Sequence, residues 1–350
     1  MAEIAVIIPV YNAGTYLRGC LESVLGQSFR DLKLVLVDDG SSDDSGAVCD
    51  VYAEADDRVQ VIHQKNRGPS AARNRGIELA LSEKDCRFIA FVDSDDRIHP
   101  QYLEYLHGMA AAWDAQIAMC RHRYVTPTEP LPDPEELPKE KGRIVDAETL
   151  MCEECSSFNY AWGKLFSIDC FARLRFPENV HFGEDNLTVY KAFFACDRTA
   201  FSERMLYYYY YNPEGITKTH WNPGNLQCCM GFEEQLLFYG EHGYERAFRK
   251  EKELYIQQCA YQLHRIREDK ERLKENKKHI RGLRNRMKQL LKESPELRIK
   301  DNDYWFEAMH PNAAKFKGHF VRLQRNMKKH GLAGTVKKIR KKVKQKDNKA

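Results

Sequence analysis

The sequence predicts an α/β fold, in which a doubly wound, mostly parallel sheet is followed by a C-terminal α-helical extension. Four short apolar runs, at residues 4–10, 34–37, 59–62 and 88–92, are typical of strands that are buried on both faces. Segments of about ten to fifteen residues with helical periodicity separate these runs, which favours right-handed crossovers between parallel strands. From residue 225 to about 291, apolar positions recur at helical spacing between dense charge, which predicts the extension.

The first half of the sheet follows from local patterns. The strand at 4–10 contains Pro9 near its end, where a missing amide hydrogen is tolerated. Apolar side chains at 16, 17, 20, 21, 24 and 25 then lie on one helical face. The strands at 34–37 and 59–62 each lead through a polar turn into a further helix. The polar loops after parallel strands are therefore expected along one edge of the sheet.

The second half is less regular. The pattern predicts a helix at 99–113 and strands at 116–120 and 205–211, the latter with a run of tyrosines. Residues 125–142 contain five prolines and several acids, which predicts an extended loop. We expect one large domain at 1–222, divided near residue 120, then the helical extension at 223–310 and a basic tail at 311–350.

Composition excludes several classes of protein. With 350 residues, of which 43% are hydrophobic, the chain can bury a sizeable core. No apolar run approaches the ~18 residues of a membrane span, and residues 1–4 lack the pattern of a secretory signal, so we expect a cytoplasmic location. Eleven cysteines, scattered through apolar patterns, fit reduced thiols better than a disulfide framework.

Charge is divided unevenly along the chain. Residues 311–350 hold 14 of the 55 Lys and Arg but one of the 51 Asp and Glu, so this tail carries +13 and the remainder carries −9. Such a tail predicts binding to an anionic membrane surface, and a merely solvated tail is the other interpretation. No nucleic-acid motif accompanies the charge, so we expect no nucleic acid partner.

Polar residues follow each of the four predicted strands. Tyr11 and Asn12 follow the first strand, Asp39 follows the second, and Asp93 and Asp95 follow the fourth. Two carboxylates that lie two residues apart on an extended segment can approach one hard cation, although a solvated acidic turn would have the same sequence.

The four loops together resemble the family 2 glycosyltransferases of GT-A fold. The segments that carry the resemblance are IPVYN at 8–12, VDDGS at 37–41, NRGPSAARN at 66–74 and VDSDD at 92–96. Four ordered blocks over about a hundred residues are far more specific than a single pair of acids. The resemblance implies a Rossmann-like nucleotide-sugar-binding half at 1–120 and an acceptor-binding half at 121–222.

The resemblance also implies roles for individual residues. Tyr11 would lie against the nucleotide base, Asp39 would accept a hydrogen bond from it, and Arg73 would lie near the diphosphate. Plain packing of Tyr11 and a surface position of Arg73 are the alternatives. Asp95, with Asp93, would ligate Mn²⁺ or Mg²⁺. The residues implied to bind the nucleotide sugar are Pro9, Tyr11, Asn12, Asp39, Asn66, Gly68, Arg73, Asp93 and Ser94.

Later segments resemble the acceptor side of the same family. WGKLF at 162–166 precedes the Glu184-Asp185 pair, as in a family segment that supplies the base. Inverting transfer needs a base for the acceptor hydroxyl, and we assign it to Asp185 with Glu184 in reserve. Gly215 stands where the family usually has serine. His220 could complete the metal site, although a packed or solvated histidine is the other interpretation.

The sequence as a whole therefore predicts a metal-dependent, inverting, non-processive glycosyltransferase. The expected donor is a nucleoside-diphosphate sugar, most simply a UDP-sugar, and the expected acceptor is a glycan or lipid-linked glycan of cell-surface polysaccharide. The enzyme would lie at the inner face of the membrane, and its C-terminal helices could pair two copies. The alternative is an inactive glycan-binding or scaffold protein that keeps the fold.

Overall fold

The structure is a computed structural model that describes residues 2–126, 137, 142–210, 221–268 and 275–297. In the described part of the chain, nine strands form one mixed sheet with the order β3-β2-β1-β4-β8-β6-β9-β5, and β7 pairs with β9. The strands are β1 (Ile4–Val10), β2 (Leu32–Asp38), β3 (Val59–His63), β4 (Phe88–Phe91), β5 (Arg97–Ile98), β6 (Ile117–Val125), β7 (Arg143–Val145), β8 (Lys164–Ser167) and β9 (Thr199–Tyr210).

Helices of the first part of the chain cover both faces of this sheet, as its two cores show. The helices of the described residues are α1 (Tyr16–Leu25), α2 (Ser45–Ala55), α3 (Pro69–Ser82), α4 (Tyr102–Trp113), α5 (Ala147–Phe158), α6 (Val189–Ala195), α7 (Cys228–His242), α8 (Glu245–Glu268) and α9 (Lys277–Glu293). Because successive residues of a strand point to opposite faces, β1 contributes Ile4, Val6 and Ile8 to one core. It contributes Ala5 and Ile7 to the other core. The doubly wound α/β class is confirmed.

The parallel strands place the polar loops together. β1 pairs in parallel with β2 on one side and with β4 on the other, and β3 pairs with the far side of β2. The strand order changes direction between β1 and β4, and in open α/β sheets the ligand crevice lies at such a point, at the carboxyl ends of the strands. The loops after all four strands border this crevice.

Beyond β4 the sheet becomes mixed. β8 is antiparallel to both β4 and β6, and β6 and β9 are parallel to each other. β6 and β9 are longer than the predicted segments at 116–120 and 205–211. β8 was not predicted as a strand, because its four residues show no period that a sequence could reveal.

The described residues divide into two compact units, one that ends at Leu254 and one that begins at Tyr255. α7 belongs to the first unit, and the division falls inside α8. In the second unit, α9 buries one face, formed by Leu283, Met287, Leu290 and Leu291. The predicted boundaries at 120, 222 and 310 stay predictions.

Several sequence predictions lie outside the described residues. They include His220, Gly215 and the basic tail at 311–350. In the parts of the chain that the structure describes, no helix is long and apolar enough to cross a membrane.

Candidate active site

The loop after β1 is tied to the loop after β2 by Asn12. The Oδ1 atom of Asn12 accepts a hydrogen bond from the Ser42 N–H at 2.7 Å, and the Asn12 N–H donates to Oγ of Ser41 at 3.1 Å. Asn12 has a φ of 48°, a left-handed conformation that asparagine tolerates better than most residues. Tyr11, which precedes this turn, is 49% exposed and is not part of the core. Its contact with a nucleotide base stays a prediction.

Asp39 organises the loop after β3. Its Oδ1 accepts hydrogen bonds from the Arg67 N–H and from Nε2 of Gln64, each at 2.8 Å, and its Oδ2 accepts from the Gly68 N–H at 2.7 Å. Gly68 has a φ of 90° and directly precedes α3, so a side chain there would be strained. The buried carboxylate thus shapes the Asn66–Gly68 turn. Recognition of a base by Asp39 stays a prediction.

The strand register places Pro9 next to the acids that follow β4. Ile7 pairs with Phe91, so Pro9 lies level with Asp93 two residues further along both strands. Asp93, Ser94 and Asp95 are half-buried at this edge. The acids therefore stand beside the end of β1, in the crevice, as expected for a ligand site of an open α/β sheet.

Arg73 connects this crevice with the later part of the chain. The guanidinium donates from Nη2 to Oδ1 of Asp93 at 3.0 Å, and from Nη1 to Oε1 of Glu184 at 2.7 Å and Oδ1 of Asp185 at 3.3 Å. It also lies 5.4 Å from the ring centroid of Phe176. Arg73 is buried, so the surface interpretation of this residue is wrong.

The charges around Arg73 explain its burial. Desolvation opposes the charged form, but Asp185, Asp93 and Glu184 outweigh it and raise the pKa of Arg73. Hydrogen bonds from Nη1 and Nη2 to three carboxylates stabilise a guanidinium that a low-dielectric site would otherwise disfavour, although its buried Nε has no hydrogen-bond partner among the described residues. One buried cation thereby brings together three of the predicted site residues.

The surroundings of Asp185 together raise the pKa of its carboxyl group to about 7. Burial is the largest cause of the increase, Arg73 opposes it, and the negative charges of Glu184 and Asp93 add to it. Its Oδ2 accepts a hydrogen bond from the Ala161 N–H at 3.2 Å, which fixes the carboxylate. A base with a pKa near neutral pH combines a large ionised fraction with a useful affinity for the proton.

The turn that carries Asp185 is held by α7. Asp185–Leu187 form a short 3₁₀ turn, and Nε2 of Gln235 donates to the Asn186 carbonyl at 2.9 Å. A Cβ at Gly231 would come within 2.7 Å of the Asn186 Cβ, so only glycine allows this close approach. A helix that the sequence placed in the extension therefore positions the predicted base.

Asp96 is a site residue that sequence reasoning missed. Its Oδ2 accepts from the Tyr207 hydroxyl at 2.7 Å, its Oδ1 accepts from the Tyr210 N–H at 2.8 Å, and the Asp93 N–H donates to the same hydroxyl at 3.1 Å. Burial and the neighbouring charges of Asp95 and Asp93 raise the pKa of Asp96 well above its usual range. The tyrosine run of β9 was the available signal, since buried tyrosine hydroxyls require partners.

Two further supporting residues were also missed as functional residues. Asn74 forms hydrogen bonds with both backbone groups of Phe176, at 2.8 and 2.9 Å, and so fixes the ring beneath Arg73. Lys164 donates from Nζ to the carbonyl oxygens of Tyr160 and Trp162 at 2.7 and 3.1 Å. Burial lowers the pKa of Lys164 to about 7, against the opposing effect of Asp185.

The described residues could supply part of the ligand set of a cation, but not all of it. Among the described residues, no three His, Cys, Asp or Glu side chains converge as a complete metal site. Asp93 and Asp95 nevertheless offer carboxylate oxygens two residues apart at the crevice, and Mg²⁺ typically takes one or two protein carboxylates and the rest of its ligands from phosphates and water. The donor set therefore fits a cation that binds together with a diphosphate.

Comparison with known proteins agrees with this architecture. The sequence model of the family described as Glycosyl transferase family 2 matches residues 5–171. EpsJ of Bacillus subtilis, named an uncharacterized glycosyltransferase, is 30% identical over 278 residues, which are 74% of this chain and 76% of EpsJ. The glycosyltransferase GlyA of Streptococcus pneumoniae is 34% identical over 215 residues, which are 59% of this chain but 30% of GlyA.

The fold has a solved counterpart as well. The crystal structure of S. aureus TarS residues 1–349 in complex with UDP-GlcNAc is similar to this chain. The similarity covers 91% of this chain and 92% of the TarS chain, with a TM-score of 0.63 and a sequence identity of 20%. At that identity the likeness concerns the fold. The family match, the extended similarity to EpsJ and the shared GT-A architecture lead to one conclusion: the chain belongs to glycosyltransferase family 2 and is a glycosyltransferase.

Proposed function

We propose that the enzyme transfers one sugar, with inversion and in a metal-dependent, non-processive reaction, from a UDP-sugar to a glycan or lipid-linked glycan acceptor. The observation that carries the proposal is the position of Arg73, which holds Asp93 beside the donor loops and Asp185 beside the acceptor half in one network. An inverting transferase needs the leaving group on one side of the reacting carbon and a base on the other.

The donor loops supply a site for a nucleoside diphosphate. Tyr11 presents a half-exposed ring, and Asp39 and Asn12 hold the surrounding turns in a fixed shape. TarS, which shares the fold, binds UDP-GlcNAc, and we choose this donor for the first test. Pro9, Asn66, Gly68 and Ser94 complete the proposed nucleotide-sugar site.

Asp185 is the proposed base. In its ionised form it accepts the proton of the acceptor hydroxyl as the oxygen attacks the anomeric carbon from the face opposite the nucleotide. The bond from that carbon to the diphosphate oxygen breaks, and the electron pair leaves with the nucleoside diphosphate. Glu184, which pairs with Arg73, is the reserve assignment.

Asp93 and Asp95 are the proposed ligands of Mn²⁺ or Mg²⁺. When bound, the cation stabilises negative charge on the departing diphosphate. The protein's own contribution at this edge is to hold Asp93, since Arg73 donates to its carboxylate and the Tyr207 hydroxyl accepts from its backbone N–H.

We place the enzyme in cell-surface polysaccharide synthesis at the cytoplasmic face of the membrane. The absence of an apolar span from the described residues and the +13 charge of residues 311–350 support a peripheral location. Vesicle flotation of the full chain, compared with a chain that ends at residue 310, tests this point: equal flotation of the two on anionic lipid would contradict it.

A thermal-shift screen tests the donor assignment. UDP, GDP, CDP and dTDP are each added with and without Mn²⁺, and a ligand that binds the folded state raises the melting temperature by mass action. We expect the largest rise in melting temperature with UDP, and a larger one when Mn²⁺ is added. In a separate assay, we expect the protein to hydrolyse UDP-GlcNAc slowly and so release UDP. A shift with another nucleotide alone would reassign the donor, and no shift with any of them would contradict the proposed site.

A further inference from the structure

A column of stacked aromatic rings leads from the acidic loop to the protein surface. The buried Tyr207 ring, whose hydroxyl donates to Asp96, stacks on Trp162 with centroids 4.5 Å apart and an interplanar angle of 13°. Trp162 stacks in turn on Tyr160 at 4.6 Å and 6°. Three rings therefore lie nearly parallel, which is an efficient way to hold the outermost ring in one orientation.

A second group of rings flanks this column. His122 lies edge-on to Trp162 at 5.0 Å and to Tyr124 at 5.0 Å, and Tyr124 lies edge-on to Tyr209 at 5.3 Å. Tyr209 also packs against Trp162 at 5.6 Å. The adjoining strands β6 and β9 thus support a continuous aromatic surface.

Two members of this surface are exposed, His122 and Tyr209 are half-buried, and Trp162 and Tyr207 are covered. Tyr124 is 65% exposed and Tyr160 is 37% exposed, whereas Trp162 is only 5% exposed. Neither exposed ring is needed to fill the core. Exposed aromatic rings grouped beside a reactive group are a recurring property of ligand sites, and isolated exposed rings are not.

One of the two exposed rings, that of Tyr160, belongs to the residue next to a contact of the proposed base. The Ala161 N–H, one residue after Tyr160, donates to Oδ2 of Asp185. Tyr124 is connected to Tyr160 through the contacting rings of His122 and Trp162. Burial raises the pKa of Tyr160, and the charges of Tyr124 and Asp185 raise it further. Nζ of Lys164 donates to the Tyr160 carbonyl at 2.7 Å, so the backbone that carries this ring is held on one side by Lys164 and, through Ala161, on the other by Asp185.

We propose that Tyr124 and Tyr160 form an aromatic platform that stacks on a sugar ring of the acceptor, so that the acceptor presents a pyranose next to the attacking hydroxyl. This inference rests on the proposed function, because it uses Asp185 as the base. A pyranose has apolar C–H faces and polar edges, which match a tyrosine's π-face and hydroxyl. An acceptor that presents a phosphate group or an aliphatic side chain has no such ring face.

The test uses the full chain on an array of pyranose oligosaccharides, with UDP and Mn²⁺ present. The variants are Tyr124→Ala, Tyr160→Ala, their double variant, and the double phenylalanine variant that keeps both rings. Trp113→Ala is the matched control, because Trp113 is also an exposed ring, at 39%, but lies far from the platform. It precedes the start of β6, whereas Tyr124 lies near the other end of that strand, roughly 23 Å along it.

We expect wild type, Trp113→Ala and the double phenylalanine variant to bind the same saccharides. Each single alanine variant should bind them about tenfold more weakly, and the double alanine variant should lose them. Full binding of the saccharides by the double alanine variant would overturn the platform. So would a wild-type protein whose melting temperature rises with UDP but which binds no saccharide on the array. Thermal shifts with UDP separate the two proposals: a protein without any nucleotide shift refutes the proposed function itself, whereas an intact UDP shift without glycan binding refutes the platform alone.

Discussion

The two regions proposed as the donor half and the acceptor half of this enzyme are built by different physical means. Around β1, β2 and β3, side-chain oxygens of Asn12 and Asp39 accept hydrogen bonds from backbone N–H groups and thereby fix the loops. Around β6, β8 and β9, the site is shaped by stacked rings such as Trp162 and Tyr207. A nucleotide needs polar groups at fixed positions, whereas a sugar acceptor can bind to apolar faces whose sequence is less constrained. The two halves are joined by Arg73.

The substitution Asp185→Asn should have the largest effect of those that test this division. We expect transfer to fall about 10³-fold, since general-base assistance is typically worth 10²–10⁴-fold, while UDP binding stays within a factor of two or so of wild type. Initial rates of UDP-GlcNAc consumption with acceptor, together with calorimetric titration of UDP, measure the two quantities. Glu184→Gln is the matched control, and a larger loss there than in Asp185→Asn would transfer the role of base to Glu184.

The exchange Asp95→Asn tests the donor side. Removing a proposed ligand of the cation should reduce transfer about 10²-fold, because a bound cation contributes several kcal/mol of charge stabilisation. The rate should recover partly at high Mn²⁺. Rates across a Mn²⁺ titration check this, and an unchanged dependence on Mn²⁺ in the variant would exclude Asp95 as a ligand.

The pH dependence of the transfer rate tests the same comparison, because a change of pH should act through Asp185, in the proposed acceptor half, and not through the proposed donor site. With the pKa of Asp185 raised to about 7, its basic form is lost as pH falls, so the transfer rate should drop about tenfold for each pH unit below 7. In Glu184→Gln, one negative charge is removed from beside Asp185, so the midpoint should move to lower pH. Rates measured from pH 5 to 8 give both midpoints, and a flat profile would contradict the assignment.

The smallest expected effect is that of Asp39→Asn. The asparagine amide keeps one acceptor oxygen, but its NH₂ group would face the N–H of either Arg67 or Gly68, donor against donor, so the turn before α3 should loosen. We expect UDP affinity to fall about fivefold, for a loss of ~1 kcal/mol, with little change in acceptor affinity. Asp50→Asn, on the exposed face of α2, is the control. Equal UDP affinity in the two variants would show that the turn does not depend on this carboxylate.

The donor half could be predicted from the sequence because its signals are local. Each strand is a short apolar run, and Asp39, Asp93 and Asp95 follow directly at the strand ends. Pairing of parallel strands then brings them to one edge without further information. Arg73, Asp185 and the loop residues were predicted by resemblance to a family, and the structure brings Arg73, Asp93 and Asp185 together.

The parts that were missed depend on contacts between distant segments. Asp96 meets Tyr207 across 111 residues, and β8 becomes a strand only because β4 and β6 lie on either side of it. Gly231 matters because α7 approaches the Asp185 turn closely. No local period encodes such contacts, since each residue alone is compatible with several environments.

Arg73 also has a consequence for the order in which the chain can fold during synthesis. Its guanidinium sits inside the donor half, yet two of its three carboxylate partners lie 111 and 112 residues downstream. In a ribosome-bound chain of which only residues up to 171 have emerged, Arg73 would have Asp93 as its one carboxylate partner and would lack the ring of Phe176. Loss of one partner from a buried ion pair costs about 3–5 kcal/mol. The nucleotide half is therefore expected to become protease-resistant only after residue 185 has emerged, so that the enzyme gains its donor site and its base in the same step.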